Sequence, residues 1–569
     1  MTASLKVLII GGYGIFGGRI VELLEDEARL TLVVGGRSIA KARDFIASRK
    51  DVKAALLPAA FDRNGDVSRQ MSAIDPHVVI DASGPFQDYG DDRYRVVEAC
   101  LNHGANYLDL ADGSDFVAAI GAFNDHARAT GLFILSGVSS FPVLTAAAVR
   151  RLSAGMTHVK SIRGGIAPSP YAVVGENVIR AIASYAGQRI TLMRNGAFAT
   201  GWPLTERVRY TVATPGYVPL RNTLFSLVDV PDLRALPQLW SEASDIWMGA
   251  GPRPEVLHRF LICLAWLVRL RLLPSISPIA PLMHVVANRI RWGEHRGGMF
   301  IEVEGVTEPG VPCTRSWHMI AEGDDGPFIP SMAVEALIRN MLRGHPPAPG
   351  ARSSVHDLEL EDYDRLFSRR AIVTGFRDDS EQTGALTLYA VILGDALNRL
   401  PLQIRDIHDV RSSMTAEGRA RVERGNGLLA WLTAAVFGFP TTNPDIYVRV
   451  RFDVSNGVET WTRQFGDDRF QSQQFAGSSR SDRLLCERFG PFTFAMALVV
   501  EGDRLSLVLR RWSFFGLPLP LWLCPHSDSY ESAEQERFNF HVKISHPLTG
   551  LIIRYDGWLV PVKTEASRS

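Results

Sequence analysis

The chain has no excess of either charge: 61 lysines and arginines balance 61 aspartates and glutamates. That removes the global electrostatic argument for a nucleic-acid partner. Cysteine is scarce. Cys100, Cys263, Cys313, Cys486 and Cys524 are odd in number and lack any CxxC spacing, which argues against a disulfide framework or a zinc site and fits a reducing cytoplasm. No metal is expected. The N-terminus runs straight into an apolar strand with no basic n-region, h-region and cleavage site, so no secretory signal is expected. No run reaches the ~20 apolar residues of a spanning helix.

What is present is most specific at the start. Leu5 to Ile10 is an apolar strand that leads into Gly12-x-Gly14-x-x-Gly17 and an amphipathic helix, the pattern of a dinucleotide site. Gly12 is expected to allow the tight turn, Gly14 the approach of a pyrophosphate and Gly17 close helix-strand packing. Tyr13, Ile15 and Phe16 complete the loop, and free N–H groups at the helix start face the phosphates. The second strand ends Gly35-Gly36-Arg37-Ser38 with no acid for a ribose 2′-hydroxyl. Arg37 and Ser38 suit a 2′-phosphate, so NADP(H) is the expected cofactor.

At 569 residues the chain needs more than one core. Residues 1–150 alternate strands (5–10, 30–35, 54–61, 77–82, 105–110, 132–136) with helices, as an α/β Rossmann domain with a doubly wound parallel sheet requires. Residues 151–370 read as an α+β substrate and dimerisation domain, whose helix 331–343 returns to pack on the first domain. Proline-rich and polar sequence at about 344–385 reads as linker, its core at 371–385. Residues 386–565 read as a C-terminal antiparallel β-rich domain, with strands expected at 447–454, 458–465, 470–475, 484–489, 494–501, 504–512, 538–545 and 551–562.

Val78 to Phe86, Tyr107 to Gly113, Gly137 to Pro142 and Ala321 to Pro330 resemble the saccharopine dehydrogenase-like NADP-binding oxidoreductases over residues 5–370. The resemblance implies a Rossmann domain, a substrate and dimerisation domain, hence a homodimer, and Ser83-Gly84-Pro85 beside the cofactor. The family's GLDPG-type loop is replaced here by Gly137-Val138-Ser139-Ser140-Phe141-Pro142, which argues against an amino-acid substrate. Residues 385–565 are similar to DUF4166, through Leu400 to Asp409 and Trp461 to Gly466, a likeness that supplies no chemistry.

Ligands of open parallel sheets lie beyond the carboxyl ends of the strands, so Asp62, Ser83, Gly84, Pro85 and residues 109–113 should line the crevice. Asp62 is a candidate for the adenosine end, or else a cap or surface carboxylate. Asp109 and Asp112 are candidate acid-base groups, since a crevice carboxylate can have its pKa raised; a helix cap at Asp112 is the competing reading. Ser139 and Ser140 are candidates to bond a substrate carbonyl, against ordinary turn serines. Tyr89 is a weaker candidate, and His318 reads as a structural histidine.

Two apolar stretches remain. Leu257 to Gly293 has no acid and combines apolar helical runs with Arg269, Arg271, Trp266 and Trp292, which suits either peripheral contact with an anionic membrane or a buried helix pair or subunit interface. The loop Phe514 to Leu523, with Trp512 and Trp522, suits a domain that encloses an apolar ligand or packs a large core. The expected function is NADP(H)-dependent reduction of an apolar or lipid-like substrate, with C=C reduction, which the family resemblance implies, ahead of imine or carbonyl chemistry. A different class stands beside it: a non-catalytic, NADP-gated lipid-binding or membrane adaptor.

Overall fold

The computed structural model describes residues 4–308, 310–380 and 386–562. These form two compact units, one of residues 1–210 and 223–373, the other of residues 211–222 and 374–569.

The first unit opens with β1 (Leu5–Ile10), α1 (Ile15–Leu24), β2 (Leu30–Gly36), β3 (Ala55–Ala60), β4 (Val78–Asp81), β5 (Asn106–Asp109) and β6 (Phe133–Ser136). All strands pair in parallel in the order β6-β5-β4-β1-β2-β3, so the order reverses between β1 and β4. Val7 to Ile10 and Val78 to Ile80 are buried on both faces, as central strands of a helix-covered sheet must be. A seventh strand, Gly350–Ser353, pairs in parallel with β6. This corrects the expectation of linker at 344–385: helix Leu360–Phe367, with a capping box of Glu359 and Asp362, and strand Ile372–Asp378 follow. The remainder of that segment, 381–385, lies outside the described residues, as do 563–565 of the expected C-terminal domain.

A mixed sheet follows in the same unit, with strands in the order 207–210, 223–227, 245–250, 156–167, 296–307 and 311–322. Helices Glu176–Tyr185, Glu255–Arg269 and Ala280–Arg289 share an apolar cluster that includes Ile179, Ala183, Ala265, Val268 and Ala280. Helix Ile329–Leu342 lies against α1: Ser331 Oγ donates to Phe16 O at 3.4 Å and Arg339 to Leu23 O at 2.8 Å.

The second unit holds a closed antiparallel barrel. Ten strands run up and down: 413–424, 443–455, 458–465, 468–476, 485–489, 492–501, 504–514, 526–534, 537–546 and 550–561. The last pairs with the first, leaving no free edge in the ring. Asn456 and Gly457, both at positive φ, make the expected hairpin turn. Two strands, Ser413–Arg424 and His526–Glu534, were not expected from the sequence, and both are needed for closure. Tyr389, Ile392, Leu393, Ile404 and Ile407, from the helices before the barrel, pack into its core. Segment 211–222 belongs to this unit: Val218 packs on Leu484, Cys486 and Ala497, and Val500 N–H donates to Gly216 O at 2.9 Å.

Candidate functional site

The crevice lies where the sheet order reverses, beyond the ends of β1 and β4. Gly11 follows β1 at φ +77°, a conformation that favours glycine, and a Cβ there would lie 2.9 Å from Ala82 O. The tight turn therefore belongs to Gly11, not Gly12 as expected. Gly12 is needed for space against Ile9 O and Val34, and a Cβ on Gly17 would sit 2.2 Å from Gly11 O. Gly14 is exposed and caps α1 without a side-chain hydrogen bond, leaving the first-turn N–H groups open to an anion. Ile15 lies within 3.2 Å of where a Gly175 Cβ would stand, so the middle sheet's helix region reaches over the loop.

At the end of β2, Tyr13 covers Gly36, and its hydroxyl accepts the Ser38 N–H at 3.1 Å. Ser38 caps helix Ile39–Ala47 by accepting the Lys41 N–H. Arg37 is exposed, and no acid stands at this strand end. Asp62 is exposed beyond β3, where Oδ1 accepts the Asn64 N–H at 3.1 Å in a local turn.

At the end of β4, buried Asp81 accepts from Ser83 N–H at 3.0 Å and Ser83 Oγ at 2.5 Å, and Tyr89 stands 2.7 Å from Ser83 Oγ. Burial pushes both Asp81 and Tyr89 up, and the Arg63 guanidinium lies 3.2 Å from the centre of the Tyr89 ring. Asn177, at the start of helix Glu176–Tyr185, donates to Gly84 O at 2.7 Å, tying the Ser83-Gly84-Pro85 loop to the second layer of the unit.

Asp109, at the end of β5, is fully buried. Its Oδ1 accepts from Ala111 N–H at 2.9 Å, Gly137 N–H at 2.8 Å and Ser136 Oγ at 3.0 Å, while Oδ2 has no partner among the described residues. Burial, with Asp81 adding a like charge, pushes its carboxyl up to about 7 despite those donors. Asp112 is not a helix cap: Gly113 occupies that position, and Asp112 accepts from Gln87 Nε2 at 3.1 Å. Ser139 and Ser140 follow the Gly137 turn; Ser139 is half-buried and Ser140 buried, with its carbonyl toward Thr145 Oγ1. The structure thus places the loop glycines, Ser83 and, fully buried, Asp109 at or beyond the ends of the neighbouring strands β1, β4 and β5, and leaves Asp62 exposed in a local turn beyond β3. His318 is buried and bonded to Ser316 Oγ at 2.9 Å.

Several groups had no sequence signal. The doublet Gly11-Gly12 could have indicated the turn position, but Asn177, Tyr185, Asp229 and Asp232 come from distant segments without a motif. Tyr185 is pushed up by burial and by the charges of Asp112 and Asp229. Asp232 is buried beside Thr145, and burial pushes it up to about 7.

Comparison with known proteins matches residues 7–132 to the saccharopine dehydrogenase NADP binding domain and residues 400–559 to a domain of unknown function, DUF4166. No curated protein sequence matches the chain. Among solved structures, apo saccharopine dehydrogenase (L-Glu forming) from Saccharomyces cerevisiae is 12% identical, covering 66% of this chain and 100% of that one, at a TM-score of 0.46. Biliverdin reductase from Synechocystis sp. PCC 6803, in complex with biliverdin and NADP+, is 12% identical over 63% of this chain and 94% of that one, at a TM-score of 0.27.

Proposed function

From a chain that joins a saccharopine dehydrogenase NADP-binding domain to a DUF4166 domain, we propose an NADP(H)-dependent oxidoreductase that reduces an apolar, lipid-like substrate, with C=C reduction ahead of imine or carbonyl chemistry. The observation that carries the nucleotide assignment is the open glycine cradle at the start of α1, where no side chain competes for the phosphates. Exposed Arg37 at an acid-free strand end favours the 2′-phosphate.

The bound nicotinamide would supply or accept the hydride. The chain's own part is positioning and proton management. Gly11 to Gly17 would hold the pyrophosphate, and Ser83-Gly84-Pro85, fixed by Asp81 and Asn177, would bound the ring pocket. Asp109 holds a proton on a buried carboxyl near neutral pH, which suits a group that must donate one.

Apolar character in the substrate is supported by the layer over the crevice. Helix Glu176–Tyr185 lies between the Ser83-Gly84 loop and helices Glu255–Arg269 and Ala280–Arg289. Those helices bury one face and expose Val256, Phe260, Leu282 and Val285, with exposed Trp292 following. Arg269 turns inward, stacking between Trp202 and Trp266. No described helix is long and apolar enough to cross a membrane. An apolar outer face that carries no acid from Leu257 to Gly293 suits contact with an anionic lipid surface, from which a substrate could be drawn. A test is NADPH oxidation by the purified chain with lipid extract and, separately, with medium-chain enoyl and carbonyl compounds. Turnover with NADPH supports the proposal; NADPH binding without any turnover favours the adaptor.

A further inference from the structure

The barrel encloses a space that the nucleotide chemistry does not explain. Its interior holds a cavity of about 170 Å³, on the order of ten times what admits a single water. Phe437, Phe439, Phe489, Phe494, Leu507 and Phe540 form much of its wall. A ten-stranded ring is wider than the eight-stranded barrels whose interiors side chains fill or a small ligand occupies.

The polar part of the wall has a definite electrical character. Arg463 is engaged by Glu487 at 3.0 Å and Ser472 Oγ at 2.7 Å, and His541 by Asp556. Glu531 is engaged by buried His408 at 2.6 Å. Both bases of the wall are thus already held by carboxylates. Ser527 and Ser529, from the polar strand His526–Glu534, add hydroxyls to the same wall.

We propose that this cavity binds a compact apolar molecule with an uncharged hydrogen-bonding end, of the class of alcohols of about six carbons, and discriminates against the corresponding fatty acids. A carboxylate brought in would lose its hydration without gaining a free cation and would face Glu487 and Glu531. A cationic head would have to compete with Arg463 and His541 for acids already paired. An uncharged head keeps every existing pair and exchanges hydrogen bonds only with hydroxyls and amides.

The surroundings provide a way in. Helix Leu428–Val436 contributes Thr433 to the cavity wall and exposes Leu428, Leu429, Trp431 and Val436. From Phe437, rings continue through Phe492 at 5.4 Å and Phe514 at 5.0 Å to exposed Phe515. The exposed apolar surface of the barrel therefore runs up to the wall of its cavity.

This inference does not depend on hydride transfer, so its test can fail separately. The full-length chain, with and without NADPH, is titrated by calorimetry at pH 8 with hexan-1-ol as the uncharged probe and, separately, with hexanoate and hexylamine. One saturable site, indifferent to NADPH, is expected, with hexan-1-ol binding at least tenfold more tightly than either charged analogue. Leu507→Trp, which fills the cavity, should weaken the probe at least tenfold, and Phe515→Ser on the exposed surface should change it less than twofold. If Leu507→Trp does not fold, Ser529→Trp blocks the same space. Absence of saturable binding overturns the proposal, as does binding of hexanoate or hexylamine equal to that of the alcohol. Probe binding that survives the blocked cavity but is lost with Phe515→Ser also overturns it, by placing the ligand on the outside.

Discussion

Replacing Asp109 by asparagine should change how stability depends on pH, by an amount the structure sets. The carboxyl is fully buried, and its pKa rises from 3.8 to about 7. The sign follows from proton counting: between those values the folded chain keeps a proton that the unfolded chain releases, so unfolding free energy falls as pH rises through the window. A shift of roughly three units corresponds to about 4 kcal/mol, fully present below the unfolded value and lost as pH passes the folded one. Asp109→Asn keeps an oxygen for the Ala111, Gly137 and Ser136 donors and does not titrate. The stability gap between parent and variant should therefore move by about 4 kcal/mol between about pH 4 and pH 8, with the parent relatively weaker at the alkaline end. Urea unfolding measures it, and the transition that shifts on adding NADPH identifies the correct unit. A gap constant across that range to within ~1 kcal/mol would refute the raised pKa and with it the case for Asp109 as a proton donor.

Arg37→Asp should weaken NADPH binding by about 2 kcal/mol or more while leaving NADH within a few fold, by calorimetric titration, because a charged hydrogen bond is replaced by repulsion. Equal affinity of the unaltered chain for both cofactors would contradict the NADP assignment. Gly17→Ala should cost about 1–3 kcal/mol or more in stability, since its Cβ meets Gly11 O at 2.2 Å, and should abolish the stabilisation given by NADPH in thermal melts. The chain should float with phosphatidylglycerol vesicles at low salt and lose them at high salt, and Phe260→Ser with Trp292→Ser should reduce the bound fraction several-fold; protein that never floats would assign those helices to a protein interface.

The first sheet was legible because its strands are continuous apolar runs between turn residues, and Asn456-Gly457 marked a hairpin by its composition alone. Strand Gly350–Ser353 was not, because Gly-Ala-Arg-Ser carries no apolar pattern and follows a proline-rich stretch; pairing with β6 alone makes it a strand. The strands that close the barrel were hidden for a related reason. Ser413–Arg424 buries Ala416, Gly418, Ala420 and Val422, small residues that give little alternation, and His526–Glu534 turns serines and Glu531 toward a cavity where the pattern demands apolar side chains. Sequence reading therefore found a β-rich domain but not its closure. Among the candidate residues, the glycine loop, Arg37 and Asp109 stand at motif and strand-end positions that a sequence displays, whereas Asn177, Tyr185 and Asp232 become candidates only once separate segments fold over one another.

The grouping of residues 211–222 with the barrel has a consequence for synthesis. That segment is mostly buried in the folded chain, and it leaves the ribosome about 150 residues before the rest of its unit begins at Thr374. At about 5–20 residues per second, the partners of Gly216 and Val218 between Leu484 and Val500 follow it only after roughly 13–56 s, time in which the rest of the first unit is also completed. Val218 is then an apolar group without its cover in the nascent chain, and a stop codon placed before the barrel would leave it permanently without Leu484, Cys486 and Ala497.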